Sequence, residues 1–170
     1  APAGTMEKLE AALRYGADAA YLGGRQFGLR AFGGNFTEDE IAAAVRLAHG
    51  MGKKIYVTVN VFPNNEDLVS LPDYLRFLKE AGADAVLVAD LGVFMCAREA
   101  APGLPIHVST QANNVNWRTV RAWQELGAAR VVLARELSAA EIQEIRRATD
   151  VELELFVHGA MCISYSGRCL

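Results

Sequence analysis

The densest collection of reactive side chains lies in residues 158–169, HGAMCISYSGRC, where His158, Arg168, Cys162 and Cys169 fall within twelve positions. Thiolates are nucleophiles and soft metal ligands. Gly159, Ser164, Ser166 and Gly167 around these two argue for a loop rather than a core element. Glycines also let backbone N–H groups come close to ligating sulfurs. The plain alternative is a pair of buried thiols packed as small hydrophobes. An iron–sulfur cluster takes four ligands, so on the ligand reading the partners of Cys162 and Cys169 are expected beyond Leu170. Cys96, in LGVFMCARE, shares a helical pattern with Val93, Phe94 and Ala97 and is expected to be inert packing.

A second set of polar groups follows short apolar runs along the chain. It comprises Asn60, Asp90, Ser109, Gln111, Asn113, Asn114, Arg135, Glu136 and His158, with Arg30 and Asn35 from a longer loop. Each has a bland reading as a loop hydrogen bond or helix cap, Asp90 above all. As a set they are expected to converge on one mouth. Arg30, Arg135 and Arg168 would bring positive charge there, which suits a carboxylate or phosphate ligand. Protease chemistry is poorly supplied. His49, His107 and His158 have no His-Glu-x-x-His spacing, and SYSGRC is no Gly-x-Ser-x-Gly elbow. A Cys162–His158 dyad is conceivable but leaves Cys169 unexplained.

The elements that must position these residues recur in a phrase. Gly16, Gly52, Gly82 and Gly127 each close a helix and precede a short apolar strand, at separations of 36, 30 and 45 residues. Thr37 with Glu40, and Ser138 with Glu141, are capping boxes that predict helices over 38–51 and 139–148. Ser70-Leu71-Pro72 predicts another start, with Leu71, Leu75 and Leu78 as its buried stripe. Helices near 5–15, 91–101 and 117–126 complete the set. Strands are expected near 19–22, 55–61, 85–89, 106–110, 130–134 and 153–157, the last from the alternation of Leu153, Leu155 and Val157. A seventh is expected to be cut off before Ala1. Strands alternating with helices imply a parallel sheet. Polar residues at nearly every strand end, with no Gly-rich phosphate turn after the first strand, favour a (β/α)8 TIM-barrel-like domain over a doubly wound sheet.

A length of 170 residues and 52% apolar content suit one domain, here expected to be a barrel fragment over residues 1–170. The missing initiator Met and the stop just after Cys169 read as cuts through a longer chain. No apolar run is long enough for a bilayer and no signal peptide is evident, which predicts a cytoplasmic protein with no membrane partner. Seventeen basic and twenty acidic residues leave a net charge of −3, which argues against broad nucleic-acid affinity driven by charge alone and leaves room for a local basic patch.

The last segment also carries a resemblance. Glu154, Phe156, Gly159, Ala160, Met161, Cys162, Gly167 and Cys169 fill, in register, the signature of the collagenase-like peptidase family of unassigned catalytic type. GADAAYLG, LRAFGGNFT, KKIYVTVN, PIHVSTQANNVNW and RVVLAREL extend the resemblance over essentially the whole chain, to the branch of tRNA-hydroxylating members. The resemblance implies a barrel domain and a 4Fe–4S cluster held by four Cys. It further implies prephenate or a similar dicarboxylate as hydroxyl source, with C5 of a tRNA uridine as acceptor. By position, Cys162 and Cys169 match two cluster ligands. Arg30 and Asn35, Gln111 and Asn113, and Arg135 and Glu136 match further family motifs. We expect Arg30 and Arg135 to clamp the dicarboxylate, with Asn35, Asn60, Gln111, Asn113 and Arg168 lining the substrate site. Glu136 or His158 would transfer protons. A peptidase, and a non-catalytic partner subunit of an oxygen-independent ubiquinone-type hydroxylation system, stand as alternatives.

Overall fold

A computed structural model of the chain describes residues 1–28, 35–159 and 164–168. Arg30, Cys162 and Cys169 lie outside the described residues. The chain divides into two compact units, Ala1–Leu104 and Pro105–Leu170.

The first unit runs α1 (Met6–Arg14), β1 (Ala19–Gly23), α2 (Glu38–Gly50), β2 (Lys54–Val59), α3 (Asp67–Glu80), β3 (Ala85–Val88) and α4 (Leu91–Ala100). β1 pairs in parallel with β2, and β2 with β3. Residues 1–3 run parallel to β1: Tyr21 N–H donates to the Ala1 carbonyl and Ala3 N–H to the Tyr21 carbonyl, both at 2.9 Å. β3 is buried at all four residues, as expected of a parallel strand covered on both faces. Leu71, Leu75 and Leu78 of α3 are fully buried, and each such side chain contributes about 2 kcal/mol.

α2 begins where its capping box places it, with Thr37 N–H donating to the Glu40 carboxylate at 2.7 Å and Glu40 N–H to Thr37 Oγ1 at 3.2 Å. α3 starts a turn earlier than Ser70-Leu71-Pro72 predicts, and Pro72 sits inside it. The reason is a reciprocal cap upstream. Asn64 Oδ1 accepts from the N–H groups of Glu66 and Asp67, while Asp67 accepts from Asn64 N–H at 2.9 Å. Those bonds satisfy the orphan donors of the first turn, so the helix need not wait for the proline.

The second unit runs β4 (Ile106–Val108), a 3-10 turn (Thr110–Ala112), α5 (Trp117–Leu126), β5 (Arg130–Val132), α6 (Ala139–Ala148) and β6 (Glu152–Glu154). β4 pairs with β5 and β5 with β6, again in parallel. Within each unit, strand order follows sequence order. Arg130 bridges Glu152 at 2.7 Å and Glu154 at 2.9 Å, fastening β6 to β5. β6 is shorter than the alternating apolar pattern suggests: Leu155 and Val157 are 42% and 92% exposed. Pairing with β5 ends at Glu154, and strand structure needs a partner as well as the pattern.

Candidate functional site

In the first unit the polar residues predicted at strand ends do sit there. Thr58 Oγ1 donates to the Leu22 carbonyl at 3.3 Å, tying the ends of β1 and β2 together. The side-chain oxygen of Asn35 lies over Gly23, where a Cβ would come within 3.4 Å of it. Asn60 follows β2 and is half-buried. Asp90 takes its bland reading: its carboxylate accepts from Val93 N–H at 3.0 Å and caps α4. His49 pairs with Asp84 at 3.0 Å, but that carboxylate also accepts from Ile55 N–H at 2.7 Å. The pair therefore ties the beginnings of β2 and β3, the end opposite to the polar loops.

The second unit shows how its polar residues are held. β4 ends at Val108 rather than at residue 110, because Ser109 turns to cap the 3-10 turn that follows. Its hydroxyl accepts from Gln111 N–H at 3.4 Å and donates to Gln111 Oε1 at 3.0 Å. Asn113 ends that turn at φ 56°, a left-handed conformation that Asn adopts more readily than most residues. Asn114 is fully buried, and its side-chain amide donates to the carbonyls of Ser109 at 3.2 Å and Val132 at 3.0 Å. Ala134 N–H donates back to the Asn114 carbonyl at 3.1 Å. The loop after β4 is thereby bolted to the end of β5.

Onto this frame docks the segment 164–168. Tyr165 to Arg168 form a turn, Arg168 N–H donating to the Tyr165 carbonyl at 2.9 Å. Gly167, third in the turn, has φ 75°. A Cβ there would collide with the Gln111 carbonyl, so only glycine lets the turn lie so close. Ser166 is buried. Its N–H donates to Glu136 Oε1 at 2.8 Å, and its carbonyl accepts from the Asn113 side-chain amide. Burial pushes the Glu136 carboxyl up, but hydrogen bonds from Ser166 and from its own backbone N–H, together with the Arg135 charge, leave the group below the ordinary carboxylate value. Arg135 is half-buried, its guanidinium carbon 4.1 Å from the Phe156 ring centroid. The ring's negative face attracts the guanidinium at that distance. His158 and Arg168 are exposed.

The second unit thus brings Gln111, Asn113, Glu136 and the segment bearing Arg168 together, while Asn35 and Asn60 belong to the first unit. Sequence reasoning missed Ser166, Gly167 as a contact residue, and Phe156 as the partner of Arg135. The Ser-Gly step at 166–167 is a turn signal that could have drawn attention to the first two. Among the described residues, no group of three or more His, Cys, Asp or Glu side chains could hold a metal ion. Cys96 is half-buried, and burial first, then Glu99, pushes its thiol up against the opposing pull of Arg76, which suits packing.

Parallel strands that deliver polar side chains into the loops at their C-terminal ends define an α/β scaffold of the kind that carries ligand sites there. The chain belongs to peptidase family U32, whose sequence profile matches residues 4–170. It is 50% identical over 170 residues to tRNA hydroxylation protein P1 of Bacillus subtilis, covering 100% of this chain and 40% of that protein. It is 37% identical over 158 residues to the 23S rRNA 5-hydroxycytidine C2501 synthase of Escherichia coli, covering 93% of this chain and 24% of that one. The fold is similar to that of a solved U32 peptidase, with a TM-score of 0.76 at 19% identity over 91% of this chain and 66% of that one. The chain therefore spans well under half the length of these two relatives.

Proposed function

We propose that this chain belongs to an RNA-modifying hydroxylase that forms 5-hydroxyuridine in tRNA, with prephenate or a similar dicarboxylate as hydroxyl source. The observation that carries the reading is 50% identity, along the entire chain, to a protein named for tRNA hydroxylation. The parallel strands, their order within each unit and their polar ends support the (β/α)8 barrel reading of the domain. Among the described residues no helix is long and apolar enough to cross a membrane. A tRNA substrate would place the protein in the cytoplasm.

A 4Fe–4S cluster, ligated by Cys162, Cys169 and two further cysteines of the longer protein, is part of the proposal. Two thiols in a Gly- and Ser-rich segment are the donor chemistry such a group takes, and the described residues offer no competing donor set. When bound, the cluster would supply redox or Lewis-acid chemistry. Arg135, held over Phe156, is suited to a substrate carboxylate, and Arg168 and Arg30 would add charge. Gln111, Asn113, Asn35 and Asn60 supply neutral hydrogen-bonding groups. The exposed imidazole of His158 is the proton-transfer candidate, since its ring nitrogens can both donate and accept. The test is nucleoside analysis of tRNA from a strain lacking the gene, with and without the full-length gene restored. Loss and recovery of 5-hydroxyuridine supports the proposal; unchanged 5-hydroxyuridine in the deletion refutes it.

A further inference from the structure

We infer that Glu136 and Asn113 are positioning residues that grip the backbone of Ser166 at its N–H and its carbonyl and seat the 164–168 turn against the loop after β4. Three independent observations meet at this one residue. The Glu136 carboxylate accepts from Ser166 N–H at 2.8 Å. The Asn113 amide donates to the Ser166 carbonyl. Gly167, next along, lies so close to the Gln111 carbonyl that a side chain would not fit. Ser166 is 7% exposed although both neighbouring elements are short loops, so the peptide is desolvated and its two polar groups depend on these partners.

The seat itself is rigid. Asn113 sits in the left-handed region at the end of the 3-10 turn, and Asn114 beside it is locked to β4 and β5 by the carbonyls of Ser109 and Val132. Glu136 follows β5, to which the same Asn114 is bonded through Ala134. Both gripping residues are therefore carried by one frame, and the turn they hold leads directly to residue 169. Glu136 is itself exposed, but its carboxylate is engaged by a buried amide, whereas among the described residues no such bond is seen at His158. The inference rests on the hydroxylase reading only for what the turn serves; the grip is a property of the fold.

The polarity of the grip gives it a signature. Glu136→Gln keeps an oxygen acceptor for Ser166 N–H, whereas Glu136→Ala does not. Asn113→Asp is isosteric but replaces the donor with an acceptor facing a carbonyl. Hydrogen exchange on the full-length protein should show Ser166 and its neighbours exchanging at least about fivefold faster in Glu136→Ala and Asn113→Asp, and within about threefold of the parent in Glu136→Gln. Exchange in α6 should stay constant in all three, showing that the unit remains folded. 5-Hydroxyuridine formation should follow the same order, with Glu136→Gln far above Glu136→Ala. A proton-transfer role predicts the opposite, Gln as inactive as Ala with Ser166 exchange unmoved, and that result overturns the inference. So does an Asn113→Asp protein with parental exchange at Ser166. If the parent protein forms no 5-hydroxyuridine at all, the hydroxylase reading fails while the exchange pattern still decides the grip.

Discussion

Asn114→Ala should cost about 2–3 kcal/mol, most of it local to β4 and β5. The side chain is fully buried and its amide makes two hydrogen bonds, to the carbonyls of Ser109 and Val132. Two net hydrogen bonds are worth about 1 kcal/mol each, and the void left by the amide adds roughly another. The lower end applies because the Ser109 carbonyl also accepts from Ala112 N–H at 3.0 Å and is not orphaned by the change. Asn114→Asp is the sharper variant. It is isosteric, yet it replaces the donor with an acceptor facing two carbonyls and buries a charge, so its carboxyl is held above the usual range. A raised folded-state value means the penalty is smallest below the unfolded-state value near 4 and grows as pH rises through the folded one. Relative to the parent, Asn114→Asp should therefore lose more stability at pH 7 than at pH 4. Native-state hydrogen exchange of β4 and β5 amides in the full-length protein reads both effects. An Asn114→Ala cost below about 0.5 kcal/mol, or an Asn114→Asp cost independent of pH, would refute the assignment of Asn114 as the bolt between these strands.

Two further changes test the packing of the first unit. Tyr74 is buried, with its hydroxyl unpartnered among the described residues, and burial first, then Glu38, pushes it well above its ordinary value. The phenolate is favoured in the unfolded chain, so this contribution is intact below pH about 10 and is lost as pH rises beyond it. Tyr74→Phe should raise stability by about 1 kcal/mol at neutral pH and flatten the alkaline loss in urea titrations; a destabilisation would show that the hydroxyl has a partner. Cys96→Ala should cost on the order of 1 kcal/mol in the same titrations and leave 5-hydroxyuridine levels unchanged, because the thiol is half-buried packing on α4.

The helices were legible wherever capping chemistry is local. Thr37 with Glu40 and Ser138 with Glu141 close their boxes as the spacing predicts. α3 starts earlier than predicted because Asn64 and Asp67 bond reciprocally at capping-box spacing, with Asp in place of the usual Glu or Gln, while Pro72 offers a louder but irrelevant signal. Strand ends were read too long at β4 and β6 for different reasons. At β4 the Ser109 side chain competes with the ladder for Gln111 N–H. At β6 the apolar alternation continues past the last paired residue, and pairing is a tertiary fact. Polar residues at strand ends were visible as a class, but their duties were not. Nothing local tells that Glu136 meets an amide thirty residues onward, or that Gly167 must be small because of Gln111. The expectation for Arg30, Cys162 and Cys169 rests on sequence alone, since all three lie outside the described residues.

The most direct test of the hydroxylase account is the pair Cys162→Ala, Cys169→Ala in the full-length protein, purified anaerobically and also returned to the deletion strain. The account predicts that iron and sulfide content and the cluster's visible absorbance fall together with tRNA 5-hydroxyuridine, because no neighbouring side chain replaces a lost thiolate in kind. Parental 5-hydroxyuridine from the doubly substituted protein would contradict it and return the segment to a structural role.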